Sequence, residues 1–164
     1  MELSGDYKFK APLDKVWETL LNREALQKSL PGCESFTEVA TYQYEAMLKV
    51  GVAAIKGTYH AKISMADIEV NKHYKLLVEG AGGSGFLNGE GAFDLNEEGE
   101  GPDRQTNLHY TGKANVGGTL AGIGARMLSP VAKKMAGDFF KSMDKIVQET
   151  ISQLEADGVS VEKA

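Results

Sequence analysis

The segment from Gly80 to Gly85 has the spacing G-x-G-x-x-G, which could cradle a phosphate. A dinucleotide site of this kind needs a helix directly after the glycines, so that the helix dipole meets the pyrophosphate. The residues from Phe86 to Leu95 instead alternate between two sets of side chains with the period of a β-strand. We therefore predict a hairpin turn at the glycines and no nucleotide site.

The other residue types that commonly do chemistry are few and scattered. His60 and His109 fall on the polar side of their predicted strands, and His73 falls in a turn. These residues and Cys33 do not show the spacing of a metal-ligand set or of a nucleophile with its base. We expect no metal, no intrinsic cofactor and no catalytic residue of these types. Cys33 is expected to be a small buried side chain.

Most carboxylates of the predicted strands lie on the polar side: Asp67, Glu69, Glu79, Glu90 and Asp94. An acid–base enzyme working under the sheet would need an inward carboxylate or histidine. The predicted inner face offers tyrosines instead. This pattern weakens the enzyme interpretation, but it leaves open a cyclase or dehydratase in which Tyr59 or Tyr110 acts as a general acid.

The longest pattern in the sequence predicts one amphipathic helix from Thr119 to about Asp157, because apolar residues recur there at steps of three and four. Pro130 lacks an amide proton, so we expect it to kink this helix or to cap its longer second part. The basic side chains on the other side indicate a solvated face, or contact with anionic lipid or an acidic partner: Arg126, Lys133, Lys134, Lys141 and Lys145.

The chain before this helix predicts a sheet. A short strand around Leu3–Phe9 precedes two short helices, the first opened by Ala11–Pro12 and the second capped by Asn22. Segments with strand period follow in meander order: 42–50, 55–65, 74–80, 87–95 and 104–116. We predict one α+β domain over residues 1–164, in which a curved antiparallel sheet of six to seven strands wraps around the long helix.

The predicted inner face of this sheet is short of bulky side chains, because Gly57, Gly80, Gly89, Gly91 and Gly112 all lie on it. We interpret the shortage as a cavity for an apolar ligand between sheet and helix. The alternative is that glycine permits strong bending and a close helix. The predicted ligand-binding residues are Tyr44, Leu48, Tyr59, Ile63, Phe86, Leu87, Gly91, Phe93, Leu108, Tyr110, Met127, Val131, Met135 and Phe139.

Composition limits the class of partner. The formal net charge of the 164 residues is -5, whereas nucleic-acid binders usually carry a basic balance, so we expect no nucleic-acid partner. We find no signal-peptide pattern and no apolar run of about 18 residues. The single cysteine allows no internal disulfide. These features predict a cytoplasmic protein.

The beginning of the sequence resembles a known superfamily. Ala11–Pro12 with Val16–Trp17, followed by Leu30–Cys33, resembles the opening of the START-like (SRPBCC) ligand-binding superfamily. The resemblance implies a helix-grip fold, which agrees with the architecture predicted above, and a single START-like ligand-binding domain.

Further motifs resemble one family within that superfamily, the family of the G subunit of carbon monoxide dehydrogenase. They are Val50–Gly51, Lys56–Tyr59, and the block Val116–Ala121 with Gly124, Arg126 and residues 132–140. The resemblance covers about residues 1–150, and its last block is fairly specific.

This resemblance implies a non-enzymatic accessory protein. The family is linked to molybdenum-containing carbon monoxide dehydrogenase and related hydroxylases, which it is thought to attach to the cytoplasmic membrane. Its cavity is suggested to hold a quinone. We therefore expect a bound quinone or lipid, a molybdenum hydroxylase as partner, and a location at the inner face of the cytoplasmic membrane. Longer members extend further after the helix, so we expect any membrane contact here to be a peripheral surface contact.

Overall fold

Within residues 1–52 and 55–158, which the computed structural model describes, seven antiparallel strands form one open sheet in the order β1-β7-β6-β5-β4-β3-β2. The strands are β1 (Glu2–Phe9), β2 (Cys33–Ala40), β3 (Gln43–Val50), β4 (Gly57–Glu69), β5 (His73–Gly82), β6 (Gly85–Glu98) and β7 (Gln105–Gly117). The helices are α1 (Leu13–Leu20), α2 (Arg23–Ser29), α3 (Thr119–Ile123) and α4 (Ala125–Ala156). This order confirms the predicted meander and the predicted α+β architecture.

The two short helices connect the edge strands β1 and β2. Asn22 caps α2 as predicted, because its side-chain oxygen accepts a hydrogen bond from the amide of Ala25 at 2.9 Å. Pro12 directly precedes α1, one position earlier than the first-turn position predicted for it. α1 contacts β6 and β7, and α2 contacts β2.

The strand β2 is missing from the segments predicted above, because its side chains do not alternate clearly in polarity. It lies at the edge of the sheet, where Phe36 is its buried side chain and Cys33 is half-buried, not fully buried as predicted. Its pairing with β3 is irregular between Cys33 and Ser35 and again between Glu38 and Ala40. Irregular, solvated edge strands show little of the period-two signal on which the prediction depends.

The long helix begins later than predicted and breaks at a different residue. Thr119 opens the separate helix α3, and Gly124, with a φ of 84°, separates α3 from α4. Such a positive φ favours glycine, so the break falls there. Pro130 lies inside α4 and removes the hydrogen bond to the carbonyl of Arg126 without ending the helix.

The helix α4 contains 32 residues and is therefore about 48 Å long. It packs mainly against α1, α2 and β1. None of the helices in the described part of the chain is both long enough and apolar enough to cross a membrane.

Candidate functional site

The two ends of α4 meet the rest of the protein differently. Towards its C-terminus, Phe140, Met143 and Val147 are at most 2% exposed. The ring centroid of Phe140 lies 5.2 Å from that of Tyr110 and 5.8 Å from that of Tyr7. We call this region the packed half. The first turns of α4 instead cover an internal space, and we call that region the hollow half.

The hollow half contains a cavity of about 180 Å³ between α4 and the inner face of the sheet. Strands β3 to β7, the N-terminus, α3 and α4 all contribute to its walls, which are almost entirely apolar. The walls are Met1, Leu48, Val50, Ile55, Tyr59, Ala61, Val78, Gly80, Leu87, Val116, Leu120, Leu128, Val131, Ala132 and Met135. Such a lining suits an apolar ligand.

Small residues keep this space open. Gly80 lies in the wall, and a Cβ added to it would meet a single atom within 4 Å, the carbonyl oxygen of His60 at 3.8 Å. Ala61 is the cross-strand partner of Gly80, and Ala132 faces the cavity from α4. No large side chain therefore projects from these three wall positions.

Glycine does not indicate a cavity everywhere on the inner face. A Cβ at Gly82 would lie 2.9 Å from Cδ1 of Tyr59, its cross-strand partner. The ring of Tyr110 lies across Gly5 on the neighbouring strand in the same way. At these positions glycine makes room for an aromatic ring that covers the backbone.

The polar atom of the cavity wall already has a partner. The hydroxyl of Tyr59 donates a hydrogen bond to the carbonyl oxygen of Ile55 at 2.6 Å. This bond satisfies the hydroxyl within the protein, so a ligand does not have to supply a partner for it. Tyr59 therefore presents chiefly its ring to the cavity.

A groove of about 220 Å³ adjoins the cavity. The two share Val50, Val131 and Met135 as walls, so only these side chains lie between the cavity and the groove. Its remaining walls come from the end of β3, the turn before β2 and the outer side of α4: Pro31, Gly32, Lys49, Gly51, Val52, Lys134 and Asp138. At its rim, Nζ of Lys134 lies 2.9 Å from Oδ2 of Asp138.

The structure divides the predicted ligand-binding residues into two main groups. Five of them line the cavity, and they are Leu48, Tyr59, Leu87, Val131 and Met135. Others belong to the hydrophobic core or pack against it, and they are Tyr44, Ile63, Phe93, Leu108, Tyr110 and Phe139. The cavity is therefore shorter than predicted, because it covers only part of the inner face of the sheet.

Three of the predicted residues do not line the cavity. Phe86 is 48% exposed and lies on the outer face, because the inward residue of its strand is Leu87. Met127 is 60% exposed, whereas the next residue, Leu128, is 7% exposed and lines the cavity. Gly91 lies on the inner face beside Leu76 but outside the cavity.

The prediction also missed several wall residues. Val50, Ala61, Val78 and Val116 lie on the inward side of their strands, so the alternation alone could have identified them. Met1 had no such signal. Its amino group donates to the carbonyl of Ala114 at 3.0 Å, a contact that depends on β1 pairing with β7 across the whole chain.

Burial raises the pKa of several tyrosines in the packed core. It raises the pKa of Tyr110 and Tyr44 above the usual range, and that of Tyr74 further still. The pKa of Tyr7 rises to about 12, through burial and through the hydrogen bond that its hydroxyl donates to Asp144 at 2.8 Å. These hydroxyls stay protonated near neutral pH.

The hairpin turn predicted at the glycines joins β5 to β6. β5 ends at Gly82 and β6 begins at Gly85, so a strand and not a helix follows the glycines. Wider depressions, one of about 600 Å³, lie on the outer face. Their walls include Glu45, His60 and Lys62, which makes them poor sites for an apolar ligand.

Comparison with known proteins gives one family match. Residues 5–148 match the sequence profile of the family described as the G subunit of carbon monoxide dehydrogenase (CoxG). The crystal structure of a conserved protein from Geobacillus kaustophilus is similar over 92% of this chain and 97% of that one, with 41% identity and a TM-score of 0.87. No curated protein matches the sequence.

More distant solved structures share the fold. A START superfamily protein from Mycobacterium smegmatis is 16% identical over 93% of this chain and 98% of that one, with a TM-score of 0.59. A protein from Thermus thermophilus is 16% identical over 92% of this chain and 99% of that one, with a TM-score of 0.66. At this identity the similarity shows a START-like fold and nothing more.

Proposed function

Because the chain belongs to the CoxG family of carbon monoxide dehydrogenase, we propose that it is a non-enzymatic accessory protein that binds an apolar, lipid-like or quinone-like molecule. The apolar cavity of the hollow half is the observation that carries this proposal. Water molecules find few hydrogen-bond partners in such a cavity. An apolar molecule that enters it is transferred out of water, which is favourable.

The size of the cavity limits what it holds. A volume of about 180 Å³ is close to the roughly 150 Å³ of an engineered apolar cavity that binds benzene. We propose that the cavity takes one ring or a short stretch of alkyl chain. We propose that the rest of a longer molecule follows the adjoining groove, which shares Val50, Val131 and Met135 with the cavity.

The polar groups near the cavity support a binding role over a catalytic one. Tyr59, one of the two tyrosines that could serve as a general acid, donates its hydroxyl hydrogen bond to the carbonyl of Ile55. The other, Tyr110, packs against Phe140 in the packed half and is not among the cavity walls. A cyclase or dehydratase would need a group in the cavity able to exchange a proton with its substrate.

The family also suggests where the protein acts. We propose that it serves a molybdenum hydroxylase of the carbon monoxide dehydrogenase type at the inner face of the cytoplasmic membrane, with only peripheral membrane contact. Co-purification of a large molybdenum-containing protein with the tagged chain is the expected result. A tagged chain that recovers no oxidoreductase from cells expressing such a hydroxylase would contradict this part of the proposal.

The ligand proposal is tested on the purified chain. Organic extraction followed by mass spectrometry should recover a lipid or quinone in near-stoichiometric amount. A separate, folded sample from which bound lipid has been removed should bind decyl-ubiquinone, which has one ring and a short tail, saturably in a calorimetric titration. An empty extract together with no saturable heat would exclude the proposed function.

A further inference from the structure

The two edges of the sheet differ in regularity. β2 pairs with β3 through two register shifts, one after Cys33 and one after Glu38. β1 pairs with β7 over all eight of its residues, from Glu2 to Phe9, without a shift. Bulges discourage a further strand from adding to an edge, whereas a long regular edge strand is a template for one. β1 is therefore the edge at which another strand would add.

The backbone groups of β1 alternate between β7 and the open edge. The amino group of Met1 donates to the carbonyl of Ala114 at 3.0 Å, and the amide of Ala114 donates back at 2.8 Å. Such mutual pairs recur at every second residue, so the odd-numbered residues of β1 bond to β7. The even-numbered residues turn their amides and carbonyls to the open edge, and they are Glu2, Ser4, Asp6 and Lys8. No other part of residues 1–52 and 55–158 hydrogen-bonds to these groups.

A second copy of β1 can satisfy these groups in an antiparallel pair. Even-numbered residues must then meet even-numbered residues, because these carry the backbone groups at the open edge. Two identical chains pair about a two-fold axis, which makes the contact the same for both. The registers that pair the most residues of the strand place this axis at Gly5 or at Asp6.

Charge selects the axis at Gly5. An axis at Asp6 would bring the two copies of this exposed carboxylate together, and like charges directly across a strand pair are destabilising. The axis at Gly5 instead places Glu2 opposite Lys8 of the second copy, and the symmetry repeats this pair of opposite charges. It also places Ser4 opposite Asp6, so no like charges face each other directly.

The same register covers apolar surface on the inner side of β1. Leu3 and Tyr7 pack against the core but are only half-buried. The axis at Gly5 makes Leu3 the neighbour of Tyr7 in the second copy, in the non-hydrogen-bonded kind of pair, where side chains lie closer together. Gly5 has no side chain that could collide with its copy at the axis. Burial of the two apolar side chains therefore adds to the backbone hydrogen bonds.

We propose that two copies of this chain pair through β1, antiparallel and with the two-fold axis at Gly5, into one continuous sheet. The paired strands form about eight backbone hydrogen bonds. The irregular β2 remains at both outer edges, so the assembly closes as a dimer. A contact of one strand pair is small, so we expect a dissociation constant on the order of 10 μM. The inference does not depend on the proposed ligand, because each chain has its own cavity.

Sedimentation velocity tests the dimer on the full chain, with no tag before Met1. The chain should be mainly monomeric at about 1 μM and mainly dimeric at about 200 μM. A monomer at every concentration up to about 1 mM would overturn the proposal. Trimers or larger species would overturn it as well, because pairing through β1 closes at two chains.

Charge reversal tests the register. Glu2→Lys and Lys8→Glu each set like charges against each other twice, and each should weaken the dimer roughly tenfold at low salt. A one-to-one mixture of the two variants should dimerise about as tightly as the wild type, because opposite charges then meet in both pairs. A mixture that dimerises no better than its components would overturn the register.

Two controls accompany the charge variants. Lys8 forms an exposed ion pair with Glu98 at 2.6 Å, and its loss should change the free energy of unfolding little. Glu38→Lys makes the same change as Glu2→Lys on β2, the other edge of the sheet, and should leave the dimer unchanged. Equal weakening by Glu38→Lys and Glu2→Lys would contradict the location, because net charge would then govern the association.

Removal of one amide tests the backbone pairing. Proline is tolerated in an edge strand where the amide faces solvent, so Ser4→Pro should fold while it loses a donor at the open edge. It should prevent dimerisation, whereas Ser4→Ala should dimerise like the wild type. Dimerisation of Ser4→Pro with wild-type affinity would overturn the proposal.

Hydrogen exchange of the wild type gives a measurement that needs no variant. By mass spectrometry, the amides of β1 should exchange more slowly at about 200 μM than at about 1 μM, because the dimer protects them. The amides of β2 should exchange equally at both concentrations. Exchange in β1 that does not change with concentration would overturn the pairing.

Discussion

The packed half and the hollow half lie under the same helix and face the same sheet, yet one is filled and the other is open. In the packed half, the rings of Tyr7, Phe93, Tyr110 and Phe139 surround Phe140 at centroid distances of 5.2–5.8 Å. In the hollow half, Gly80, Ala61 and Ala132 occupy the corresponding inner positions. The difference suggests a division of work, in which one half stabilises the fold and the other binds.

The largest expected effect is in the packed half. Phe140→Ala should lower the free energy of unfolding by about 3–5 kcal/mol, because Phe140 is 2% exposed and its neighbours cannot all collapse into the space. Urea unfolding followed by circular dichroism measures the change. A loss below about 1 kcal/mol would show that this half is not the main source of stability.

Filling the hollow half should affect binding instead. Gly80→Val places a side chain in the cavity and should weaken decyl-ubiquinone binding at least tenfold, with little change in stability. Gly91→Val is the matched control, because a Cβ there meets ordinary contacts with Thr111 and Leu76 outside the cavity. Calorimetric titration measures the affinity of both variants for decyl-ubiquinone. Equal affinities would show that the ligand lies elsewhere.

Shortening a side chain of the cavity wall should lower the free energy of unfolding less than removing the ring of Phe140 does. Val131→Ala is expected to lower the unfolding free energy by about 1 kcal/mol, because Val131 is only half-buried and one side of it faces empty space. The enlarged cavity should bind ligands with bulkier rings better than the wild type does. A loss as large as that of Phe140→Ala would contradict the contrast between the halves.

An effect of similar or smaller size concerns the hydrogen bond from Tyr7 to Asp144, which links β1 to the packed half. Tyr7→Phe should lower the free energy of unfolding by roughly 0.5–1.5 kcal/mol at neutral pH. The folded state raises the pKa of Tyr7 from 10.0 to about 12. The stability that this shift contributes is complete below pH 10 and is lost as the pH rises towards 12.

The pH dependence provides the check. Urea unfolding from pH 8 to pH 11.5 should show a shallower decline in Tyr7→Phe than in the wild type. Part of the decline should remain, since burial also raises the pKa of Tyr110 and Tyr74. Identical profiles would mean that Tyr7 is no more perturbed in the folded protein than in the unfolded chain.

The fold was predictable because most strands have one solvent-exposed face and one buried face. Alternation in β3 to β7 and the apolar repeat in α4 are local signals, and both were correct. The edge strand β2 lacks the signal, since Phe36 is its buried side chain. The helix was predicted to run from Thr119, with a kink or cap at Pro130, because a proline is a stronger break signal than a single glycine such as Gly124.

The extent of the cavity was not predictable from glycine content. Gly5 and Gly82 lie under the rings of Tyr110 and Tyr59, whereas Gly80 faces open space. All of these look the same in a sequence. Which of them opens a cavity depends on where aromatic rings from distant strands settle, as Tyr7 and Tyr110 do around Phe140.

One wall of the cavity comes from α3, the shortest of the four α-helices described above. Leu120 belongs to α3, whose five residues lie between Gly118 at a φ of 68° and Gly124 at a φ of 84°. The amide of Leu120 is held by the carbonyl of Ser84 at 2.9 Å. Substitutions within these five residues can therefore change the size of the cavity to suit a different ligand, while the sheet and the long helix stay as they are.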